Sequence, residues 1–316
     1  MKDFLSILDF ATEEIWEIFE LADRLKYDAS KPLAGKTVAM IFQKPSLRTR
    51  VSFEAGVVQL GGHPVCLSQE SIGLGKRESV ADVARVLSRY NDLIVARVFE
   101  HDDLIEMARH ASVPVINALS DLSHPCQVLA DAYTMRQRGK LFEGAKVVFV
   151  GDGNNVANSW LELAARLPIH FVLASPKGYA PNAELLRIAT SSGVGKVEIV
   201  HNPQAAVWDA DVVYGDVWTS MGQEAESETR KRDFASYQIN ADLMRYAKPD
   251  AIFMHCLPAR RGEEVTDEVI DSPQSVVFDQ AENRLHVQKA IMAKLVEQHY
   301  APAFSPTPKA KNRKKR

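Results

Sequence analysis

The chain has 316 residues, of which 46% are apolar and 25% charged, and its formal net charge is −3. This length exceeds one ordinary hydrophobic core and predicts two domains. The small net charge argues against nucleic acid or a membrane surface as a partner. We expect a cytoplasmic protein, because the sequence offers neither an apolar run of roughly 18 residues nor a secretory leader. Cys66, Cys126 and Cys256 are too widely spaced for a disulfide framework or a CxxC site, so we expect no metal.

The first predicted element is an amphipathic helix. Thr12 is expected to cap it, and Glu13 and Glu14 suit the positive end of its dipole. Residues 15–25 then place apolar side chains on one face, so this helix should pack on a core.

Short β-branched runs alternate with helical patterns after this helix. The predicted strands span 38–42, 64–67, 93–96 and 113–116, and the predicted helices span 51–60, 78–90, 103–111 and 125–136. A second series of strands is predicted at 146–150, 170–173, 197–200, 212–214 and 251–254. This alternation predicts an α/β protein with two doubly wound parallel-sheet domains, 1–138 and 139–300, linked by helices. The final helix, about 281–299, should cross back to the first domain, and the basic segment 301–316 should be a disordered tail.

The segment 44–50, Lys-Pro-Ser-Leu-Arg-Thr-Arg, joins the first predicted strand to a helix. The first turn of a helix has unpaired N–H groups and a partial positive charge, so Arg48 and Arg50 are unexpected there. A bound phosphate or carboxylate would meet the hydroxyls of Ser46 and Thr49, free amides and a guanidinium. The alternative is a surface turn that Ser46 caps, with both arginines in water.

Polar segments follow several predicted strands at their C-terminal ends, where open parallel sheets bind ligands. They are 46–49, Arg97 and 124–127 in the first domain, and 151–155, Asp216 with 220–222, and 255–258 in the second. We expect these segments to face each other across one site. The glycine-rich segment 72–77 is either a mobile loop that adds positive charge to an anion site or a plain connection.

Two other site types are disfavoured. Gly151-Asp152-Gly153 suggests a dinucleotide site, but Val156 replaces the third glycine and 173–176 lacks an acidic residue for the ribose. Asn154 and Asn155 are therefore candidates for holding a small polar substrate. A cysteine nucleophile at 126 or 256 is disfavoured because neighbouring residues in extended chain point to opposite sides.

Four motifs occur in order: Ser-Leu-Arg-Thr-Arg at 46–50, His-Pro-Cys-Gln at 124–127, Asp-Val-Trp-Thr-Ser-Met-Gly at 216–222 and His-Cys-Leu-Pro at 255–258. Together they resemble the signature set of the aspartate/ornithine carbamoyltransferase family, and the last two resemble its ornithine-dependent branch. The similarity extends from the first helix to 278–285. The resemblance implies that carbamoyl phosphate and L-ornithine react to give L-citrulline and phosphate, without metal or organic cofactor.

The resemblance also implies roles for individual residues. The first domain would bind carbamoyl phosphate and the second L-ornithine. The residues implied for carbamoyl phosphate are Ser46, the Leu47 amide, Arg48, Thr49, Arg97, His124, Gln127, the Leu257 carbonyl and Arg284. Those implied for ornithine are Asn155, Asp216, Ser220, the Met221 amide and Cys256. Thr49, Arg97 and His124 would polarise the carbonyl group, with Cys256 near the attacking amine.

Two positions depart from the commonest family pattern. Position 47 is Leu where many relatives carry Thr, which leaves only its backbone amide for the phosphate. Gly73 stands where some relatives place a side chain that reaches a neighbouring subunit, so Lys76 or Arg77 would have to substitute. A homotrimer is implied by the resemblance alone. The alternatives left open are a carbamoyltransferase for N-acylornithine or putrescine, a catalytically silent relative, and a nicotinamide-dependent oxidoreductase.

Overall fold

The computed structural model describes residues 3–140, 143–219 and 224–300. The first sheet consists of β1 (Thr37–Phe42), β2 (His63–Ser68), β3 (Leu93–Arg97) and β4 (Val115–Leu119). Its strands lie in the order β2, β1, β3, β4, and each pairing is parallel. The helices of this half are α1 (Thr12–Tyr27), α2 (Leu47–Gln59), α3 (Gln69–Ile72), α4 (Val80–Tyr90), α5 (His101–His110) and α6 (Pro125–Gln137).

The second sheet consists of β5 (Lys146–Val150), β6 (His170–Ala174), β7 (Lys196–Val200), β8 (Val212–Gly215) and β9 (Ile252–His255). Its order is β7, β6, β5, β8, β9, again with parallel pairings. The helices here are α7 (Asn155–Ala164), α8 (Ala183–Ser192), α9 (Pro203–Val207), α10 (Ser227–Phe234), α11 (Ala241–Met244), α12 (Asp267–Ile270) and α13 (Val277–Tyr300). Short 3₁₀ helices span Ile7–Asp9, Glu224–Glu226 and Ala235–Tyr237. The predicted α/β fold with two parallel sheets is confirmed.

The long helix α13 returns to the first half of the molecule, as predicted. It packs against α1, α2 and α6. Its inward residues belong to a core that runs from Phe19 and Tyr133 in the first half to Phe149 and Trp160 in the second. The two sheets are therefore joined by a shared apolar core as well as by the chain.

Each sheet has a point where the strand order reverses. In the first sheet the chain moves from β1 outward to β2 and then back across β1 to β3, so the loops after β1 and β3 diverge and leave a crevice. In the second sheet the same reversal occurs between β5 and β8. Ligands bind at such switch points in open α/β sheets. Both crevices in this chain open toward the same space.

Several predicted boundaries were wrong. The helix predicted at 51–60 begins at Leu47, and the strand predicted at 113–116 spans Val115–Leu119. The final helix begins at Val277, four residues before its predicted start. Thr12 does not cap α1, because Ala11 occupies the cap position and the Thr12 hydroxyl donates to the carbonyl of Arg166. Among the described residues, no helix has the length and apolar character to cross a membrane.

Candidate active site

A cavity of about 560 Å³ lies between the C-terminal edges of the two sheets. Its lining includes twelve of the residues that the sequence predicts: Ser46, Leu47, Arg48, Thr49, Arg97, His124, Gln127, Asn155, Asp216, Cys256, Leu257 and Arg284. Ser220 and Met221, which were also predicted, lie outside the described residues. The glycine-rich segment 72–77 does not line this cavity; Gly73 ends α3 in the left-handed conformation, with a φ of 63°.

The first turn of α2 forms one wall. Ser46 occupies the N-cap position in extended conformation, yet its side chain makes no capping hydrogen bond. The surface-turn alternative, in which Ser46 caps the helix, is therefore wrong. The first N–H groups of a helix have no partner within it, so they remain available together with the Ser46 hydroxyl. Arg48 lines the cavity, whereas Arg50 is exposed and pairs with Glu54 at 3.0 Å.

The hydroxyl of Thr49 accepts hydrogen bonds from two guanidinium groups. Arg97, the last residue of β3, donates from Nη1 to Thr49 Oγ1 at 3.2 Å, and Arg284 of α13 donates from Nη2 at 2.6 Å. A threonine hydroxyl has one hydrogen and two acceptor lone pairs. Because both lone pairs are occupied, the hydroxyl of Thr49 can only donate to a further partner. The site thus holds a buried O–H donor beside two cations.

Three arginines of the cavity, Arg48, Arg97 and Arg284, are wholly or partly shielded from water. Burial, reinforced by Arg284 and Arg48, lowers the pKa of Arg97 to about 10. Burial also lowers the pKa of Arg284 and of Arg48 from their ordinary values. Within the described part of the chain, none of the three forms an ion pair with a carboxylate. Like charges held together without counterions favour a bound anion.

His124 immediately precedes α6 and is buried. Its backbone N–H donates to the hydroxyl of Ser159 at 2.9 Å. Burial, together with the positive charges of Arg284 and Arg97, holds the pKa of the imidazole well below its usual range. The ring is therefore neutral at physiological pH, when it can donate one hydrogen bond without adding a charge.

The second sheet contributes an acidic wall. Asp216 follows β8, and its carboxylate accepts from Cys256 Sγ at 3.0 Å, from Asn154 Nδ2 at 2.7 Å and from the Val217 amide at 2.8 Å. Asn154 also caps α7 through its Oδ1 atom. Its Oδ1 atom is thus filled and one N–H of its amide is committed to Asp216, so Asn154 supports Asp216 and has one N–H left for a ligand of the cavity it lines. Burial and the nearby Asp216 raise the pKa of Cys256 well above its ordinary value, so the thiol stays protonated.

Asp216, His255 and Cys256 place three potential metal-ligand atoms within 4.8 Å of one another. Both ring nitrogens of His255 are occupied, however. Nδ1 accepts from the Leu257 amide at 2.9 Å, so Nε2 carries the hydrogen and donates to Glu264 at 3.1 Å. A metal-bound imidazole needs a free lone pair. This donor set fits a hydrogen-bonded cluster better than a metal.

A polar stripe on α7 supports the loop before His124, and sequence reasoning missed most of it. Asn155 and Asn158 donate to the carbonyls of Ser120 and Leu122 at 2.8 and 2.9 Å. One turn later, Ser159 accepts from His124 and Glu162 accepts from the hydroxyl of Ser6 at 2.8 Å. The spacing of positions 155, 158, 159 and 162 on one helical face was the available signal. The second half of the molecule thus fixes a loop of the first.

Two family models match consecutive parts of the chain. The carbamoyl-P binding domain of aspartate/ornithine carbamoyltransferase matches residues 2–137, and the Asp/Orn binding domain matches residues 143–295. This chain belongs to the aspartate/ornithine carbamoyltransferase family. It is a carbamoyltransferase, and its predicted membership of the family is confirmed.

Individual relatives of this carbamoyltransferase agree with the family assignment. The ornithine carbamoyltransferase of Chlorobaculum tepidum is 56% identical over 303 residues, which cover 93% of this chain and 90% of that protein. The solved ornithine carbamoyltransferase of Pyrococcus furiosus has a TM-score of 0.89 at 52% identity, covering 93% of this chain and 97% of that one. A solved N-acetyl-L-ornithine transcarbamylase has a TM-score of 0.85 at 35% identity, covering 93% of this chain and 100% of that one.

Proposed function

We propose that this chain transfers the carbamoyl group of carbamoyl phosphate to the δ-amine of L-ornithine, giving L-citrulline and phosphate in arginine biosynthesis. One observation carries the proposal: one cavity has on one wall buried arginines that form no ion pair with a described carboxylate, and on the other wall the carboxylate of Asp216. The first wall suits a dianionic phosphate and the second an ammonium group. The names of two relatives, 56% and 52% identical to this chain, support ornithine as the acceptor.

Carbamoyl phosphate binds to the first wall in this proposal. The Leu47 amide, the Ser46 hydroxyl and the guanidinium of Arg48 hold the phosphate at the start of α2, where the helix dipole favours an anion. Arg97 bridges the phosphate and the carbonyl oxygen, and Arg284 closes the site from α13.

The carbonyl oxygen gains negative charge as the amine attacks. Thr49 donates to it because its lone pairs are already filled by two arginines. Arg97 and the neutral imidazole of His124 complete the set of donors, and donors fixed in a water-poor site stabilise such charge strongly. The Gln127 side chain and the Leu257 carbonyl orient the carbamoyl NH₂. Leu257 has a φ of 56°, a strained conformation for a branched side chain at the cavity wall.

Ornithine binds to the second wall. Asp216 takes the α-ammonium group with the acceptor capacity left by its three present donors, and Asn155 lines the same cavity. Ser220 and the Met221 amide are proposed to complete the grip on the α-carboxylate. Cys256, as a neutral thiol, lies close to the δ-amine.

The δ-amine must lose a proton before it can attack, because its pKa resembles that of lysine, about 10. We assign the final proton acceptance to the departing phosphate. Clamping both substrates in one cavity converts a bimolecular reaction into an effectively unimolecular one, which accounts for much of the rate.

The test offers L-ornithine, N-acetyl-L-ornithine and putrescine side by side in a colorimetric assay for the carbamoylated product. An acylated or absent α-amine leaves Asp216 unpaired, which costs on the order of 1 to 3 kcal/mol, so ornithine should be favoured by about ten- to hundredfold. A preference for either other amine would overturn the proposal. The variant Arg48→Ala should lose turnover while keeping its fold by circular dichroism, which excludes a silent relative.

We further propose a cytoplasmic homotrimer, with 1–138 as the carbamoyl-phosphate domain and 139–300 as the ornithine domain. Leu47, Val51 and Val58 leave apolar side chains exposed on α2, with Leu47 73% exposed, and this supports a subunit contact there. Light scattering of the purified protein measures the molar mass in solution, and a mass that does not correspond to three chains would contradict the homotrimer. The predicted tail, 301–316, lies outside the described residues.

A further inference from the structure

A buried carboxylate lies directly behind the cavity. Asp131 is on α6, one helical turn after Gln127, and its side chain is fully buried. It is not among the residues that line the cavity. Gln127 Nε2 donates to Asp131 Oδ1 at 2.8 Å. A buried acid in this position therefore contacts a cavity residue without reaching the cavity itself.

This contact fixes which way the amide of Gln127 points. The oxygen of Asp131 that faces Gln127 acts as an acceptor, so the NH₂ end of the amide must face it. The other end, Gln127 Oε1, is buried and has no hydrogen-bond partner among the described residues. Gln127 lines the cavity and carries a buried acceptor that no described residue satisfies. An unsatisfied buried acceptor favours a ligand that carries an N–H group.

A second amide holds Asp131 from the far end of the chain. Gln280 of α13 accepts from the His255 backbone amide through Oε1 at 2.9 Å, which leaves its NH₂ to donate to Asp131 Oδ1 at 2.8 Å. The same NH₂ lies 3.2 Å from the hydroxyl of Tyr214. Gln280 therefore cannot turn without breaking a backbone contact, and it keeps Asp131 facing Gln127.

The network connects the two acceptors expected around the carbamoyl nitrogen. One is Gln127 Oε1 on α6, and the other is the carbonyl of Leu257, two residues after His255. Asp131 lies between them through Gln127 on one side and Gln280 on the other. If the amide of Gln127 turned over, its NH₂ would meet the NH₂ of the substrate, and two donors would oppose each other.

We propose that Asp131 is a positioning residue that makes the site prefer an acyl phosphate bearing NH₂ over one bearing CH₃. The inference rests on the proposed function and deepens it. Carbamoyl phosphate and acetyl phosphate share the phosphate and the carbonyl oxygen and differ only in this group. Phosphate contacts cannot tell them apart, whereas a fixed acceptor at Gln127 can.

The orientation that Asp131 imposes on the Gln127 amide does not depend on whether Asp131 is protonated. Burial raises the pKa of Asp131 to about 7. A protonated carboxyl carries its hydrogen on one oxygen and leaves the other as an acceptor. With the hydrogen on Oδ2, Oδ1 still accepts from both glutamines.

The experiment compares Asp131→Leu with Asp131→Asn. Leucine has a similar shape and no acceptor, so the amide of Gln127 is released. Asparagine keeps one acceptor oxygen and acts as the conservative rescue. Dissociation constants for carbamoyl phosphate, acetyl phosphate and inorganic phosphate are measured by calorimetry on the wild type and both variants.

We expect Asp131→Leu to weaken carbamoyl phosphate by about ten- to hundredfold while acetyl phosphate and inorganic phosphate change by less than about threefold. Asp131→Asn should retain most of the wild-type preference. If Asp131→Leu does not fold, Asp131→Ala is used instead; a water that replaces the carboxyl group can donate or accept, so it fits either orientation of the Gln127 amide, and the same selective loss is expected.

A purely structural role for Asp131 predicts a different outcome. All three ligands would weaken together, or the preference for carbamoyl phosphate would persist in a folded variant, and either result overturns the inference. The wild-type measurement separates this failure from failure of the proposed function. A wild-type protein that makes no citrulline refutes the proposed function, whereas one that makes it and keeps its preference after Asp131→Leu refutes only the role of Asp131.

Discussion

Replacing Arg97 by methionine should make the ligand-free protein more stable while removing its response to phosphate. Methionine keeps the apolar stem of the side chain in its buried position and deletes the guanidinium. The charge is costly where it stands, because burial and the neighbouring Arg284 lower the pKa of Arg97 to about 10 from an ordinary 12.5. Each unit of pKa corresponds to about 1.36 kcal/mol, so the charged form is disfavoured by about 3 kcal/mol.

The sign follows from the titration of both states. Below pH 10 the arginine is charged in the folded and unfolded chains alike, so the whole penalty is present at neutral pH. Loss of the hydrogen bond to Thr49 offsets about 1 kcal/mol of the gain. We therefore expect Arg97→Met to raise the free energy of unfolding by about 2 kcal/mol at pH 7 in phosphate-free buffer.

Urea unfolding followed by tryptophan fluorescence measures this change, with and without inorganic phosphate. At one hundred times its dissociation constant, phosphate should stabilise the wild type by about 2.7 kcal/mol. Arg97→Met should lose most of this stabilisation. Arg50→Met is the control for loss of an arginine near the site, because Arg50 lies on α2 close to Thr49 in sequence, pairs with Glu54 and does not line the cavity. The reasoning is refuted if Arg97→Met lowers stability relative to Arg50→Met, or if phosphate stabilises Arg97→Met as much as the wild type.

Three further predictions concern residues outside the cavity lining. Ser159→Ala removes the acceptor for the backbone amide of His124. The kcat for citrulline formation should fall by about tenfold, while the free energy of unfolding falls by only about 1 kcal/mol. An unchanged kcat would contradict a positioning role for Ser159. Burial raises the pKa of Glu162 to about 7, above its unfolded value of 4.5, so the folded state holds the proton more tightly and stability falls as pH rises from 4.5 to 7. The free energy of unfolding of Glu162→Gln, relative to that of the wild type, should therefore rise by on the order of 3 kcal/mol between pH 5 and pH 8. Urea unfolding across this range measures it, and the same pH dependence in both proteins would count against the prediction. Gly73→Ala puts a side chain on a residue in the left-handed backbone conformation, with its Cβ 2.8 Å from the Cβ of Arg77. The free energy of unfolding, measured by thermal unfolding, should fall by about 1 to 2 kcal/mol. No loss would show that the turn relaxes to accept the methyl group.

The strands could be located from the sequence because parallel strands that are covered on both faces appear as continuous apolar runs. β3 is an example, since all five of its residues are buried. The start of α2 could not be located in the same way. Residues 47–50 lack apolar periodicity, and Thr49 is buried there by contacts with Arg97 and Arg284 rather than by a pattern within the helix.

The residues of the cavity were accessible to sequence reasoning because parallel strands bring their C-terminal ends to one edge. The supporting network was only partly accessible: the polar face of α7 could be read from its spacing, but the partners of its side chains are distant in sequence. Gln280 meets Asp131 across 149 positions, and Ser6 meets Glu162 across 156. Neither pair leaves a local spacing to detect. The pairing of Gln127 with Asp131 at four residues apart on one helix was the exception, and it could have been found.

The position of Arg284 has a consequence for biosynthesis. A ribosome that has translated the chain as far as β9 has already produced both sheets and Asp216, together with the first turn of α2. The guanidinium that donates to Thr49 is still missing, because it belongs to the final helix. Until α13 emerges and packs on α1 and α6, the nascent protein lacks one residue of the cavity lining and has an uncovered core. Completion of the cavity lining and burial of this core therefore depend on the same helix.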